Sequence, residues 1–131
     1  MQMLSRNPAA AYRRVALEAR IEASGGADLT RICLEEAQAA VGHALISLDR
    51  ASADGRPVVG VSWPGHEPLT RAQTIMLWLA ASVAPGHPLE ASLKAFYGGL
   101  AAQIGTSLQQ PDTAAFLGIR NDISDLLEAT R

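Results

Sequence analysis

Cysteine and aromatic residues are both scarce in this chain: it has one Cys, two Trp, two Tyr and two Phe in 131 residues. A lone thiol, Cys33, excludes an internal disulfide, so nothing points to an oxidising compartment. Long apolar runs are also missing. The longest, Ile75 to Ala84, has ten residues, whereas a membrane helix needs about 20. The start, MQMLSRNPAAAYRR, has no basic head followed by an unbroken apolar stretch, so no signal peptide is expected and the expected address is the cytoplasm. Basic residues are few and scattered, ten Arg and one Lys, with a net charge of -2. Without a concentrated basic patch to offset phosphate repulsion, nucleic acid is not an expected partner.

The chain is nevertheless 48% apolar and 18% charged, the balance of a folded protein. Its length suits one domain over 1–131 that buries more than half of its unfolded surface without disulfides or a structural metal. Breakers at Asn7-Pro8, Gly25-Gly26, Ser52 to Pro68, Pro85-Gly86-His87-Pro88 and Pro111-Asp112 leave five segments. Asn7 and Pro8 predict a cap and first helical residue for a helix to about Ala23. Asp28 is the expected cap of the next, with Leu29, Ile32, Cys33, Ala37, Ala40, Val41, Ala44, Leu45 and Leu48 on one stripe. Thr70 and Gln73 have the spacing of a capping box and predict a third helix with Ala72, Ile75, Met76, Leu79 and Val83 on one face. Leu77, Trp78 and Ala81 lie off that face, so this helix needs cover on two sides.

Pro88 predicts the first turn of a fourth helix, with Leu89, Leu93, Phe96, Tyr97, Leu100, Ile104 and Leu108 in register. Gly98, Gly99 and Gly105 interrupt it at a cost of roughly 1 kcal/mol each, which calls for a packing or contact reason. From Asp112 the pattern repeats through Ala115, Phe116, Ile119, Ile123, Leu126 and Leu127. Only Pro57 to Pro64 reads as extended. The predicted class is all-α: an antiparallel up-and-down bundle of four long helices plus an additional N- or C-terminal helix, with a long loop at about 52–69. The 24 alanines favour close helix approach.

Candidate chemistry is sparse. His43, His66 and His87 include no pair at i and i+4, the spacing of a helical metal site. Cys33 and His43 stand about 15 Å apart along one helix, too far for a nucleophile and its base. Glu35 and Glu36 diverge by about 100° and read as a solvated face. Gly98-Gly99 and Gly25-Gly26 lack the strand-to-helix setting of a phosphate loop. No catalytic residue, metal or cofactor is therefore expected. What remains is surplus apolar surface, the signature of a module that packs against another polypeptide. Leu77, Trp78 and Tyr97 equally suit the completion of the core or a homodimer seam.

Several landmarks in order resemble the flagellar secretion chaperones, which hold flagellin before export. They are AYRRV with Tyr12, Ala23-Ser24 leading to Leu29 and ICLEEA, Arg71-Ala72-Gln73 with Ile75, and SLKAFYGGLAAQI with Leu93, Phe96 and Tyr97. An Ala/Asp-rich turn and an amphipathic helix ending near Leu127 complete the similarity, which runs from about Tyr12 to Glu128. Three features depart from the family pattern: Gly25-Gly26 replaces a proline, Leu34 stands where a tyrosine is usual, and the loop from Ser52 to Pro68 is long.

The resemblance implies a mostly monomeric or weakly dimeric cytoplasmic bundle, without catalysis, that clamps the disordered C-terminal segment of flagellin and prevents premature polymerisation. A second contact with the export apparatus would fit. Gly98, Ala101, Ala102 and Gly105 would let the client backbone approach, and Leu34, Leu77, Trp78, Ala81 and Tyr97 would anchor it. Tyr12 would contribute either to client binding or to a segment covering the groove. The competing reading is a structural or regulatory homodimer joined through Leu77, Trp78 and Ala81, with no secreted client.

Overall fold

The computed structural model describes residues 26–129 and builds them almost entirely from helix: α1 (Gly26–Asp54), α2 (His66–Ala81), α3 (Glu90–Gln109) and α4 (Thr113–Ala129). The described residues contain no strand, and Pro57 to Pro64 is loop. The predicted helix over residues 8–23 lies outside the described residues. No described helix is long and apolar enough to cross a membrane.

The apolar stripe of α1 is buried along its length, with Cys33, Leu34, Ala37, Ala40, Val41, Ala44, Leu45, Leu48 and Ala51 all in the core. Its bounds differ from the expected ones. Gly26 is already helical, so Asp28 sits in the first turn instead of capping it. The far end continues past Leu48 to Asp54, where Gly55 takes a left-handed φ of 68°. There the Gly55 and Arg56 N–H groups donate to the Ser52 and Ala51 carbonyls at 3.3 and 2.8 Å, a reverse cap that satisfies the last turn.

The expected capping box at Thr70 and Gln73 is corrected: α2 opens earlier, at His66. Pro68 fits its first turn, where a missing N–H is harmless. Thr70 instead donates its hydroxyl to the His66 carbonyl at 2.9 Å, within the helix. The loop between α1 and α2 is thus 55–65, shorter than the expected 52–69. α3 starts after Pro88, and Glu90 accepts the Gly86 N–H at 3.0 Å. Asp112 caps α4, its carboxylate accepting the Ala115 N–H at 2.9 Å.

The helices pack in a ring, α1 beside α2, α2 beside α3, α3 beside α4 and α4 beside α1, while the backbones of the two diagonal pairs stay apart and only their side chains share the core. Leu34, Leu69, Met76, Leu100, Ile104, Phe116, Ile119 and Ile123 fill the centre. Each such side chain contributes roughly 1.5–3 kcal/mol by leaving water. The 55–65 loop adds Trp63, 4% exposed, whose ring stacks on Phe116 at 6.4 Å. Gly65 lies against that ring: a Cβ there would overlap its Cζ3 and Cη2 atoms. The Trp63 Nε1 group is buried with no partner among the described residues.

Candidate functional site

The α2 helix has a buried face of Pro68, Leu69, Ala72, Ile75, Met76 and Leu79, so the residues between those positions must point outward. Leu77 and Trp78 do so, 54% and 41% exposed, and Ala81 is exposed beside them. On the neighbouring helix α3 the buried face is Tyr97, Leu100, Ala101, Ile104 and Ser107. Gly98 is half-exposed, Gly99 and Ala102 are exposed, and Gly105 is half-exposed.

The three α3 glycines differ in what they face. A Cβ on Gly98 or Gly99 would meet nothing within 4 Å, whereas one on Gly105 would stand 2.9 Å from the Gln73 amide nitrogen. That amide crosses from α2 and donates to the Ala101 carbonyl at 3.2 Å. Gly105 therefore has a reason inside the protein, since it leaves room for the Gln73 bridge. Gly98 and Gly99 have none among the described residues, and the helix bears their cost against open space.

The residues singled out in the sequence thus fall into two groups. Leu77, Trp78, Ala81, Gly98, Ala102 and Gly105 lie at the surface of the α2–α3 pair. Leu34, Tyr97 and Ala101 are in the core, at 0, 5 and 3% exposure, facing the other helices in this conformation. Tyr12 lies outside the described residues. Leu89 and Phe96, expected in the α3 core register, are instead exposed at 55% and 41%, which adds apolar surface at the start of α3. Leu89 stands just before the helix, and Phe96 sits beside the Tyr97 that takes the inward position.

Ion pairing also departs from the reading of Glu35 and Glu36 as one solvated face. Glu35 is exposed, but Glu36 is partly buried and lies 3.4 Å from the Arg71 guanidinium. The same guanidinium donates to both Glu67 oxygens at 2.8 and 3.1 Å, so one cation ties α1 to α2 between two carboxylates. Cys33 is buried as expected. Desolvation, followed by the nearby Glu36 charge, pushes its thiol above the ordinary 9.0. Burial, with Cys33 adding, raises Tyr97 above 10.0.

Two histidines flank α2 in the chain. His66 begins the helix and His87 accepts the Leu89 N–H through Nδ1 at 3.0 Å. Among the described residues no group of three or more His, Cys, Asp or Glu side chains is placed to hold a metal.

Two surface clefts accompany the α2–α3 face. One, about 680 Å³, opens between α3 and α4 among Gln103, Thr106, Gln110, Asp112 and Asp122. The other, about 510 Å³, runs between α1 and α4 with Ile46 and Leu117 in it. Sequence reasoning did not identify this second groove; the available signal was Ile46, an apolar residue lying off the buried stripe of α1. The chain matches no protein-family model, no curated protein and no solved structure.

Proposed function

We propose that this chain is a helical-bundle secretion chaperone of the flagellar type, which holds the disordered C-terminal segment of flagellin in the cytoplasm until export and catalyses no reaction. In this reading the described helices alternate in direction as an up-and-down antiparallel bundle. Two levels of approach between α1 and α4 support it: Gln38 bonds Ser124 at one level, and further along α1 Ile46 and Asp49 share a groove with Leu117 and Thr113, which lie earlier in α4. The short connections 55–65, 82–89 and 110–112 then join neighbouring helix ends.

The observation that carries the functional reading is the pair Gly98 and Gly99, side by side in the interior of α3 with nothing against them. Moving one turn, about 6 Å, from the Gln73–Ala101 bridge brings Leu77 level with Gly98. Leu77 then stands beside a shallow track floored by Gly98, with Ala102 about one turn behind it, Ala81 about one turn ahead, and Trp78 about 100° further round α2. A client backbone laid on that track approaches α3 closely because no Cβ holds it off. Apolar contact with Leu77 and Trp78 offsets the entropy lost when a disordered segment becomes ordered. Leu34, Tyr97 and Ala101 serve by shaping the helices beneath.

The test is a calorimetric titration with a synthetic flagellin C-terminal peptide. Binding at one peptide per chain is expected, weakened at least tenfold by Trp78→Asp and by Gly98→Leu, which fills the track. Absence of binding by the parent protein removes the proposal. A homodimer abolished by Trp78→Asp, together with no peptide binding, would put the dimer-seam reading in its place.

A further inference from the structure

The groove between α1 and α4 lies on the side of the ring away from the α2–α3 pair, and its chemistry has an internal symmetry. Ile46 and Leu117 project into it at 52% and 37% exposure, although each belongs to a helix with a complete buried stripe of its own. Gly42 lines the same groove, with open space where a Cβ would be. Two opposite charges complete it: exposed Asp49 and half-exposed Arg120, neither side chain with a hydrogen bond or ion pair among the described residues.

The order of these groups along the groove follows from the Gln38–Ser124 hydrogen bond. Leaving that bond, α1 ascends through Gly42 and Ile46 to Asp49 while α4 descends through Arg120 and Leu117 to Thr113. Arg120 is therefore level with Gly42 at one end. Asp49 is level with Thr113 at the other, about 10 Å away, and the two apolar side chains lie between. Within one chain the two charges are too far apart to pair. A two-fold axis perpendicular to the groove, passing between Ile46 and Leu117, exchanges the ends and brings each Asp49 opposite the other copy's Arg120.

We propose that this groove is a self-complementary docking surface for a second copy of the chain, with Ile46 and Leu117 at the two-fold axis and two Asp49–Arg120 pairs at its ends. Charge complementarity selects that occupant: an unrelated apolar helix would leave a half-buried guanidinium uncompensated, whereas a second copy supplies one carboxylate for each. Gly42 allows the helices to approach. Six α1 residues and three α4 residues line the groove, well short of the about 20–30 a side of a standard stable interface, so the dimer is weak and concentration-dependent. The proposal is independent of the flagellin reading and leaves the α2–α3 face free.

Sedimentation equilibrium from about 1 μM to 1 mM tests it. For the parent protein the average mass should rise from 13.8 kDa towards twice that value. Asp49→Arg and Arg120→Asp should each weaken association at least tenfold, and the double swap Asp49→Arg/Arg120→Asp should restore it to within about threefold. Gly42→Leu raises helix propensity while filling the groove, and should also abolish the dimer with helicity intact. A parent protein monomeric at every concentration overturns the proposal. So does a dimer that survives both single swaps, or a helical double swap that fails to recover.

Discussion

Replacing Gly98 and Gly99 by alanine should stabilise the protein, an unusual direction for a helix-interior substitution in a compact chain. Both glycines lie well inside α3, have ordinary helical φ values and leave open space for a Cβ. Nothing needs to move to admit the methyl group. Each substitution then contributes about 0.8–1 kcal/mol through helix propensity, chiefly by restricting the unfolded backbone. The double variant gains roughly 1.5–2 kcal/mol, a rise in Tm of about 5–10 °C for a chain of this size. Gly105→Ala is the internal control. Its Cβ would displace the Gln73 amide, and loss of that hydrogen bond, about 1 kcal/mol, cancels the propensity gain. Scanning calorimetry together with urea unfolding measures all three variants. An unchanged or lower Tm for Gly98→Ala/Gly99→Ala would refute the reasoning, because it would mean that the two positions are already in contact with something. If the variant is more stable yet binds the flagellin peptide more weakly, the glycines exist for the client.

Gly65→Ala should destabilise by about 1–3 kcal/mol, since its methyl group overlaps the Trp63 ring and forces that side chain off its seat on Phe116; a urea midpoint equal to the parent's would contradict the contact. Trp78→Asp should cost no more than about 1–2 kcal/mol, because the side chain is 41% exposed and the new carboxylate sits in the last turn of α2, at the negative end of the helix dipole. A large loss in thermal unfolding would place Trp78 in an internal contact. The raised Cys33 pKa sets a pH dependence: the folded state holds the proton more tightly than the unfolded chain, so the contribution is whole below pH 9.0 and is lost as pH climbs through the folded value. Urea midpoints should fall above about pH 9, first from Cys33 and then from Tyr97, and Cys33→Ala should flatten the first part. A midpoint that rises there would reverse the assigned sign.

Most of the helical plan was legible because the buried positions recur at three and four residues in α1, α2 and α4. The stripe from Cys33 to Leu48 needs no other information to be read as a core face. Helix ends were less legible. Thr70 and Gln73 match a capping pattern, but both side chains are engaged elsewhere, one with the preceding turn and one with Ala101 across the α2–α3 contact. A local pattern carries no trace of that distant carbonyl. In α3 apolar and small residues surround the axis, so the sequence does not single out which direction meets the neighbours. The structure assigns Tyr97 inward and Phe96 outward. Resemblance grouped Leu34 and Tyr97 with Leu77 and Trp78; three-dimensional packing separates the first two, which lie beneath the surface, from the second two, which lie on it. The Asp49–Arg120 arrangement joins residues far apart in the chain and required the α1–α4 register to be seen.

The unlike settings of Trp63 and Trp78 give the protein two optical reporters with separate meanings. Trp63, enclosed against Phe116, should emit at short wavelength and resist acrylamide until the chain unfolds. Trp78 should emit to the red and be quenched freely, losing that access when its face is covered. Folding and occupancy can thus be followed in one cuvette without an added dye.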